Sequence, residues 1–432
     1  MTGSWQHEVQ VKVARDGYHV RRRDFLRWLG AGALASHARL SEVLAAHTVQ
    51  MRQSGKKCIL LWMQGGPSQF ETFTPKPGHP NGGETKAIAT RVAGVEVSEN
   101  LPHVADVMDS LCLIRSVTAR EASHPRATYL MHTGYLPTAT VSHPTLGATV
   151  AHQLAPPDFD MPSFVRIGQQ NRDFGGGGLL GIQYDPFVVA NPGQMPQDTQ
   201  PAGGPARYRR RLAMLEGIDR HFARQAGESL VSDHLSVYRA AAEMVLSPRM
   251  EVFDLQQEPA NVRQAYGESP FAKGCLLARR LLESGVTCVE VVLGNWDTHE
   301  DNFARSKSLC EQMDQPMAAL VKDLIDRGLW DSTLLVWMGE FGRTPRINPR
   351  SGRDHYPQAF NVVLGGAGVR GGQVIGRTDA GGVSVTDQPV KVPDLFYTIF
   401  TALGIDPNHE NMSPVGRPIK LVENGQVIPG VL

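Results

Sequence analysis

Twice in the second half of the chain a helix-like segment leads into an apolar strand, and this repetition limits the fold more than any other feature. "SPFAKGCLLARRLLESG" (269–285) reads as a helix, with Ser269 at the N-cap, Pro270 in the first turn and Gly285 just past the end. "VTCVEVVLG" (286–294) follows at once and is rich in β-branched residues. In "CEQMDQPMAALVKDLIDRG" (310–328), Met317, Leu320, Val321 and Leu324 form a stripe at helical spacing, and "STLLVWMG" (332–339) comes next as a strand. Further strand-like runs lie at 57–64, 110–117, 162–168 and 360–366. Short helices are expected at 143–154 and 393–404, and a helical pair at 206–246. Alternation of this kind predicts an α/β fold with a mainly parallel sheet. Several strands are apolar throughout, which places helices on both faces.

Residues 1–54 read as a leader and linker: Arg22 and Arg23 precede Phe25-Leu26, and Ala33-Leu34-Ala35 fits a cleavage site. This pattern resembles a twin-arginine export signal and predicts a periplasmic or extracellular protein. Residues 55–432 are expected to form a single domain with a loop-rich excursion at about 169–205. The glycines at 175–178 lack the Gly-Lys-Ser/Thr of a phosphate cradle. Lys plus Arg equals Asp plus Glu, at 43 each, which argues against a general nucleic-acid binder. The basic run Arg207–Arg211 reads as a solvated helix face. Five scattered cysteines form neither a CxxC zinc site nor a disulfide framework. No run approaches the roughly 18 apolar residues of a membrane span.

In open α/β sheets, ligands bind beyond the carboxyl ends of the strands. After residues 57–64 comes "GGPSQFETFTPKPG"; after 286–294, "NWDTHEDNF"; after 332–339, "EFGRTPRINPRSGRDHYP". If these strands are parallel neighbours, the loops share one edge, which then holds Glu71, Lys76, Asp297, His299, Glu340, Arg343, Arg353, Asp354 and His355. Asp297 and His299 are two residues apart, so an extended segment points both side chains the same way. Carboxylate and imidazole donors suit zinc or a similar divalent ion, with His355 and Glu340 completing the set. Asp354 is expected to orient His355. Arg343 and Arg353 carry guanidinium forks that match a sulfate, phosphate or carboxylate. "REASHPRATYLMHTGY" (120–135) brings Ser123, His124, Arg126 and Thr128 to the start of a helix, where free N–H groups favour an anion. Ser123 serves there either as a nucleophile or as a helix cap.

These stretches, with "HPTLGATVAHQL", "GAGVRGGQVIGRTD" and "DLFYTIFTALGID", identify the chain as resembling the exported bacterial family known as domain of unknown function 1501. That family in turn resembles the alkaline phosphatase-like superfamily, which includes the sulfatases. The resemblance implies a mainly parallel sheet sandwiched between helices, and one or two divalent metals at the strand ends. It also implies cleavage of phosphate or sulfate esters through a Ser, Thr or modified Cys nucleophile. On that analogy Asp297 and His299 stand for one metal's Asp and His, His355 for a late histidine, and Glu340-Phe341 for an Asp-His pair. "SHPRATYLMHTG" echoes the nucleophile stretch, whose reactive position falls on Ser123 or His124. Gln64 stands where an Asp is usual, Phe341 has no donor, and Glu71 and Thr74 replace residues that are often Asp. One metal, or a degenerate site, is therefore expected.

The resulting expectation is an exported, metal-dependent hydrolase of sulfate or phosphate esters. Zinc is expected ahead of calcium or manganese, and sulfated polysaccharide is one substrate class. Ser123, His124 and Glu340 would be catalytic; Arg343, Arg353 and Arg126 would hold the anion. The rival is a non-catalytic binding protein on the same fold. A metal-free esterase would need Ser123 or Ser68 beside a histidine, and no GxSxG elbow is present.

Overall fold

The computed structural model describes residues 55–168, 175–199, 201, 203–226, 228–413 and 416–432, and for Glu216 and residues 219–226 and 228–236 the backbone only. The expected leader lies outside the described residues, as does part of the expected excursion. Ser54–Leu432 form one compact unit.

Its main sheet is built from β1 (Lys57–Met63), β2 (Leu111–Thr118), β3 (Phe164–Ile167), β4 (Phe187–Val189), β5 (Cys288–Leu293), β6 (Thr333–Met338), β7 (Phe360–Gly365), β8 (Gln373–Ile375) and β9 (Val390–Lys391). The spatial order is β8-β2-β7-β6-β1-β5-β3-β4, with β9 on the free end of β2. β7 runs antiparallel to β2 and β6, while the other pairings are parallel. The mainly parallel α/β sheet is therefore present. β1, β2, β5 and β6 all end at the same edge, which the strand-end argument requires.

The helices used below are α1 (His124–Thr133), α2 (Leu146–Leu154), α3 (Pro205–Ala226), α4 (Glu228–Leu246), α5 (Pro270–Ser284), α6 (Asn302–Asp326) and α7 (Val392–Ala402). Alternation along β1 sends Ile59, Leu61 and Met63 into one core with α5 and α6, through Leu277, Leu281, Met317 and Val321. Trp62 points to the other face, where its ring meets His132 of α1 at 4.1 Å. Helix α5 starts and stops where the sequence says: Ser269 accepts from Ala272 N–H, and Gly285 is left-handed with φ 108°.

Two expectations need correction. Helix α6 begins at Asn302, well before residue 310, and continues through Pro316. Its first turns bury Asn302 and Ser306, four residues apart and hydrogen-bonded at 3.3 Å, a polar pairing that an apolar stripe cannot announce. The 169–205 segment is also more than a surface excursion. Within it, β4 pairs parallel with β3 and extends the sheet.

Candidate metal centre

Glycine lets the strand-end loops close on one another. Gly65 and Gly66 follow β1 with φ of 112° and 77°. A Cβ on Gly65 would stand 2.5 Å from the Asp297 backbone nitrogen, and one on Gly66 2.6 Å from the Phe341 ring. Gly65 N–H donates to both Glu340 carboxylate oxygens, at 2.9 and 3.1 Å. Trp296, fully buried, ties the loop after β5 to β1 through its N–H bond to Gln64 O at 3.1 Å. The loop after β6 returns as a short ribbon that pairs His355 opposite Arg343. Helix α1, after β2, contributes His124.

These segments bring three imidazoles to one carboxylate. Asp297 Oδ1 lies 3.1 Å from His299 Nε2 and 3.3 Å from His355 Nε2, and Asp297 Oδ2 lies 3.3 Å from His124 Nε2. The Nε2 atoms of His299 and His355 are 2.9 Å apart. Each ring is held from behind at Nδ1. His299 Nδ1 meets Asp354 at 2.8 Å, His355 Nδ1 meets the Ala122 carbonyl at 2.7 Å, and His124 Nδ1 meets Glu340 at 2.7 Å. All three partners accept and cannot donate, so each Nδ1 carries a proton. A neutral ring then turns a bare Nε2 lone pair toward Asp297. Lone pairs 2.9 Å apart repel unless a cation or an extra proton lies between them. Donor atoms of His124, Asp297 and His355 fit within 4.8 Å of one another. A histidine whose other nitrogen is fixed by a carboxylate or carbonyl is how protein metal ligands are oriented. The residues present therefore fit a divalent ion.

The same packing shapes the charges. Burial raises the Asp297 carboxyl, but in the metal-free protein its hydrogen bonding with His124, His355 and Arg343 and the Arg343 charge hold it well below the usual carboxylate range. Burial lowers His124, yet hydrogen bonds to Asp297 and Glu340 and their charges outweigh it and push the ring up to about 9. Without a metal, a proton fills the place a cation would take.

Several expected site residues stand elsewhere than the sequence implied. Asp354 orients His299, not His355. Arg353 is fully buried, and its donors go to Glu71, Asn81 O, Thr344 O and Pro345 O. No N–H of Arg353 remains for a substrate anion, so that expectation is corrected. Arg343 is also fully buried. It donates to Asp297 at 2.5 Å, to Gly66 O at 2.9 Å, to Arg353 O at 3.1 Å and to Gly65 O. It braces the carboxylate from within the fold and does not reach out to a ligand. Glu340, 1% exposed, stands behind His124 with both oxygens engaged. Arg126 is exposed and makes a bidentate pair with Glu121 at 2.9 Å. Ser123 occupies the N-cap position of α1 without a side-chain cap bond, and it is exposed. Phe341 packs on the rings of His355 and His124, with centroids at 4.5 and 4.9 Å. Sequence reasoning gave His124 no place among the metal donors. Its position just past β2, on the shared edge, was the available signal.

Residues 55–432 match the model of a family described as protein of unknown function, DUF1501. The chain belongs to that family. No curated protein matches it. Among solved structures, this family member is similar to the PsFucS1 sulfatase from Pseudoalteromonas sp., at 11% identity over 84% of this chain and 71% of that one, with a TM-score of 0.39. It is similar to the lipoteichoic acid synthase LtaP from Listeria monocytogenes, at 10% identity over 86% and 75%, TM-score 0.38. A protein in the alkaline phosphatase superfamily from Vibrio parahaemolyticus aligns at 12% identity over 81% and 66%, TM-score 0.36. The chemistry below rests on the histidine cluster and not on these likenesses.

Proposed function

We propose that this DUF1501 protein is an exported metal-dependent hydrolase of sulfate or phosphate esters. One observation carries the reading: three imidazoles, each tied at Nδ1 to a pure acceptor, converge through Nε2 on the Asp297 carboxylate. Asp297, His299, His355 and His124 would hold the ion. A donor set dominated by imidazole nitrogen favours zinc over calcium or manganese, which prefer oxygen. A bound ion of this kind supplies Lewis-acid polarisation of an ester oxygen.

The chain's own residues prepare the rest. Arg343 keeps Asp297 ionised, and Asp354, Ala122 O and Glu340 fix the imidazole orientations. Ser123 places an exposed hydroxyl at the N-terminus of α1, where free N–H groups favour an anionic group. It is the nucleophile candidate. Glu340 accepts the Nδ1 proton of His124 in a 2.7 Å hydrogen bond, which keeps that ring's Nε2 available to the ion. Arg126 is the remaining exposed arginine candidate for the substrate anion. A sulfated polysaccharide is one substrate class of suitable charge. Export rests on Arg22-Arg23 and the apolar segment that follows. No helix among the described residues is long and apolar enough to cross a membrane.

A second reading, a non-catalytic binding protein, is favoured by Phe341. It fills the flank of His124 and His355 with a ring that cannot coordinate a second ion. Zinc content and turnover of aryl sulfate and aryl phosphate esters separate the two. Stoichiometric zinc that Asp297→Ala reduces by more than about 100-fold in affinity, together with ester turnover that the same variant abolishes, supports the hydrolase. Zinc without turnover selects the binding protein. Less than stoichiometric zinc, unaltered by Asp297→Ala, defeats the hydrolase and is also what a binding protein with a degenerate centre predicts.

A further inference from the structure

Near the centre lies a polar group that the chemistry above does not use. His132, in the last turn of α1, Glu290 on β5 and Arg166 on β3 are each 1% exposed. Glu290 Oε1 lies 3.2 Å from His132 Nε2, and Glu290 Oε2 lies 3.0 Å from Arg166 Nη2. The other nitrogen of His132 faces the Thr128 carbonyl at 2.8 Å. Both ring nitrogens of His132 thus face acceptors. One carboxylate thus joins an imidazole on α1 to a guanidinium on the sheet.

Apart from the Tyr129 hydroxyl, which bonds His143 at 2.9 and 2.7 Å, this is a main polar contact of α1 away from the centre. Its buried residues are Ala127, Thr128, Leu130, Met131, His132 and Thr133, of which Leu130 and Met131 are the long apolar ones. Trp62 of β1 covers the His132 ring. His124 stands eight residues earlier on the same helix, about 12 Å along its axis. A slide or rotation of α1 on the sheet would carry His124 away from Asp297 and Glu340.

We propose that Glu290 is a positioning residue for the metal centre: through His132 it sets the seating of α1, and so the place of His124. The metal part of this proposal rests on the reading of the centre given above. Glu290→Ala would take its carboxylate away from the buried Arg166 guanidinium and endanger folding. The test therefore uses His132→Ala and His132→Gln, the latter keeping a donor toward Glu290. Zinc affinity by calorimetry, the visible spectrum of the cobalt-loaded protein, and amide hydrogen exchange over α1 and α6 are compared with wild type.

The expected result for His132→Ala is zinc binding weakened about tenfold, shifted cobalt bands, and faster exchange in α1 but not in α6. His132→Gln restores most of each. Wild-type zinc affinity and cobalt spectrum in His132→Ala overturn the proposal, even if α1 exchanges faster. A loss that Gln does not restore also overturns it, because packing and not the contact with Glu290 is then responsible. If the wild type binds no zinc, the metal reading fails by itself. Exchange at His124–Thr128 in the metal-free protein then decides the positioning claim: faster in His132→Ala supports it, unchanged refutes it.

Discussion

Two dense sets of charged side chains lie in this protein, and their wiring is opposite. Around Arg279, fully buried on α5, cations meet anions. Arg279 donates to Asp323 at 2.8 Å, to Glu258 at 2.7 and 3.0 Å and to Glu283 at 2.7 Å. Tyr266 donates to Asp323 at 2.9 Å, and Arg280 and Arg327 surround the same acids. Each of these donors there finds an acceptor. At the strand ends the inner atoms are mostly acceptors facing acceptors: imidazole lone pairs and a carboxylate. Charge density alone therefore does not mark a functional site. The mark is polarity left unmatched within the fold, because a buried polar group without a partner is costly and persists where something else completes it.

That contrast can be broken by experiment, and the largest effect should come from the matched set. Arg279→Ala strands Glu258 and Asp323 and should lower unfolding free energy by about 3–5 kcal/mol in urea denaturation. Zinc stoichiometry should stay unchanged; loss of zinc would show that the two regions are coupled. A somewhat smaller effect should appear with acid. Burial raises the Glu258 carboxyl, but hydrogen bonds and charge from Arg279 and Arg280 outweigh it and bring the group down to about 2. A carboxyl depressed in the folded state contributes stability above its unfolded value and loses it as pH falls from about 4.5 toward 2. The contribution is on the order of 3 kcal/mol. Melting curves of wild type and Glu258→Gln should converge over that interval. Zinc affinity should fall at a higher pH, from about 9 downward, as a proton competes for His124 Nε2.

Asp354→Asn sharpens the comparison at the centre itself. It removes the carboxylate behind His299 and should weaken zinc binding by about 10-fold or somewhat more, read by competition with a chelating dye. Melting temperature of the metal-free protein should barely move, since Asp354 is exposed. The smallest effect belongs to Arg126→Ala. Its pair with Glu121 is solvent-exposed, so melting should not change measurably. A raised KM for an anionic ester, with kcat retained, would assign Arg126 to the substrate.

Much of this could be read from the chain before folding was considered. "NWDTHEDNF" and "GRDHYP" each follow a strand-like run, and strands of one direction deliver their ends to one edge. Asp297, His299 and His355 meet there as expected. Other assignments failed for reasons of partner choice. Arg353 looked like an anion clamp because its neighbours in sequence are polar; its neighbours in space are Glu71 and Asn81. Asp354 precedes His355 in the chain, yet side chains at adjacent positions of a strand point apart, and it holds His299 instead. His124 belongs to the cluster only because α1 is seated where it is.

The amino-acid order by itself determined the type and succession of the elements, and with them which loops share an edge. Those signals are local: apolar spacing, helix-ending glycines and strand length act over ten or twenty residues. Only the tertiary structure decided which nitrogen of each histidine is protonated and where its lone pair points. That choice depends on acceptors at Ala122, Glu340 and Asp354, brought against His355, His124 and His299 by separate loops. A proton's location is a property of the two groups that flank it, and here these come from different parts of the chain.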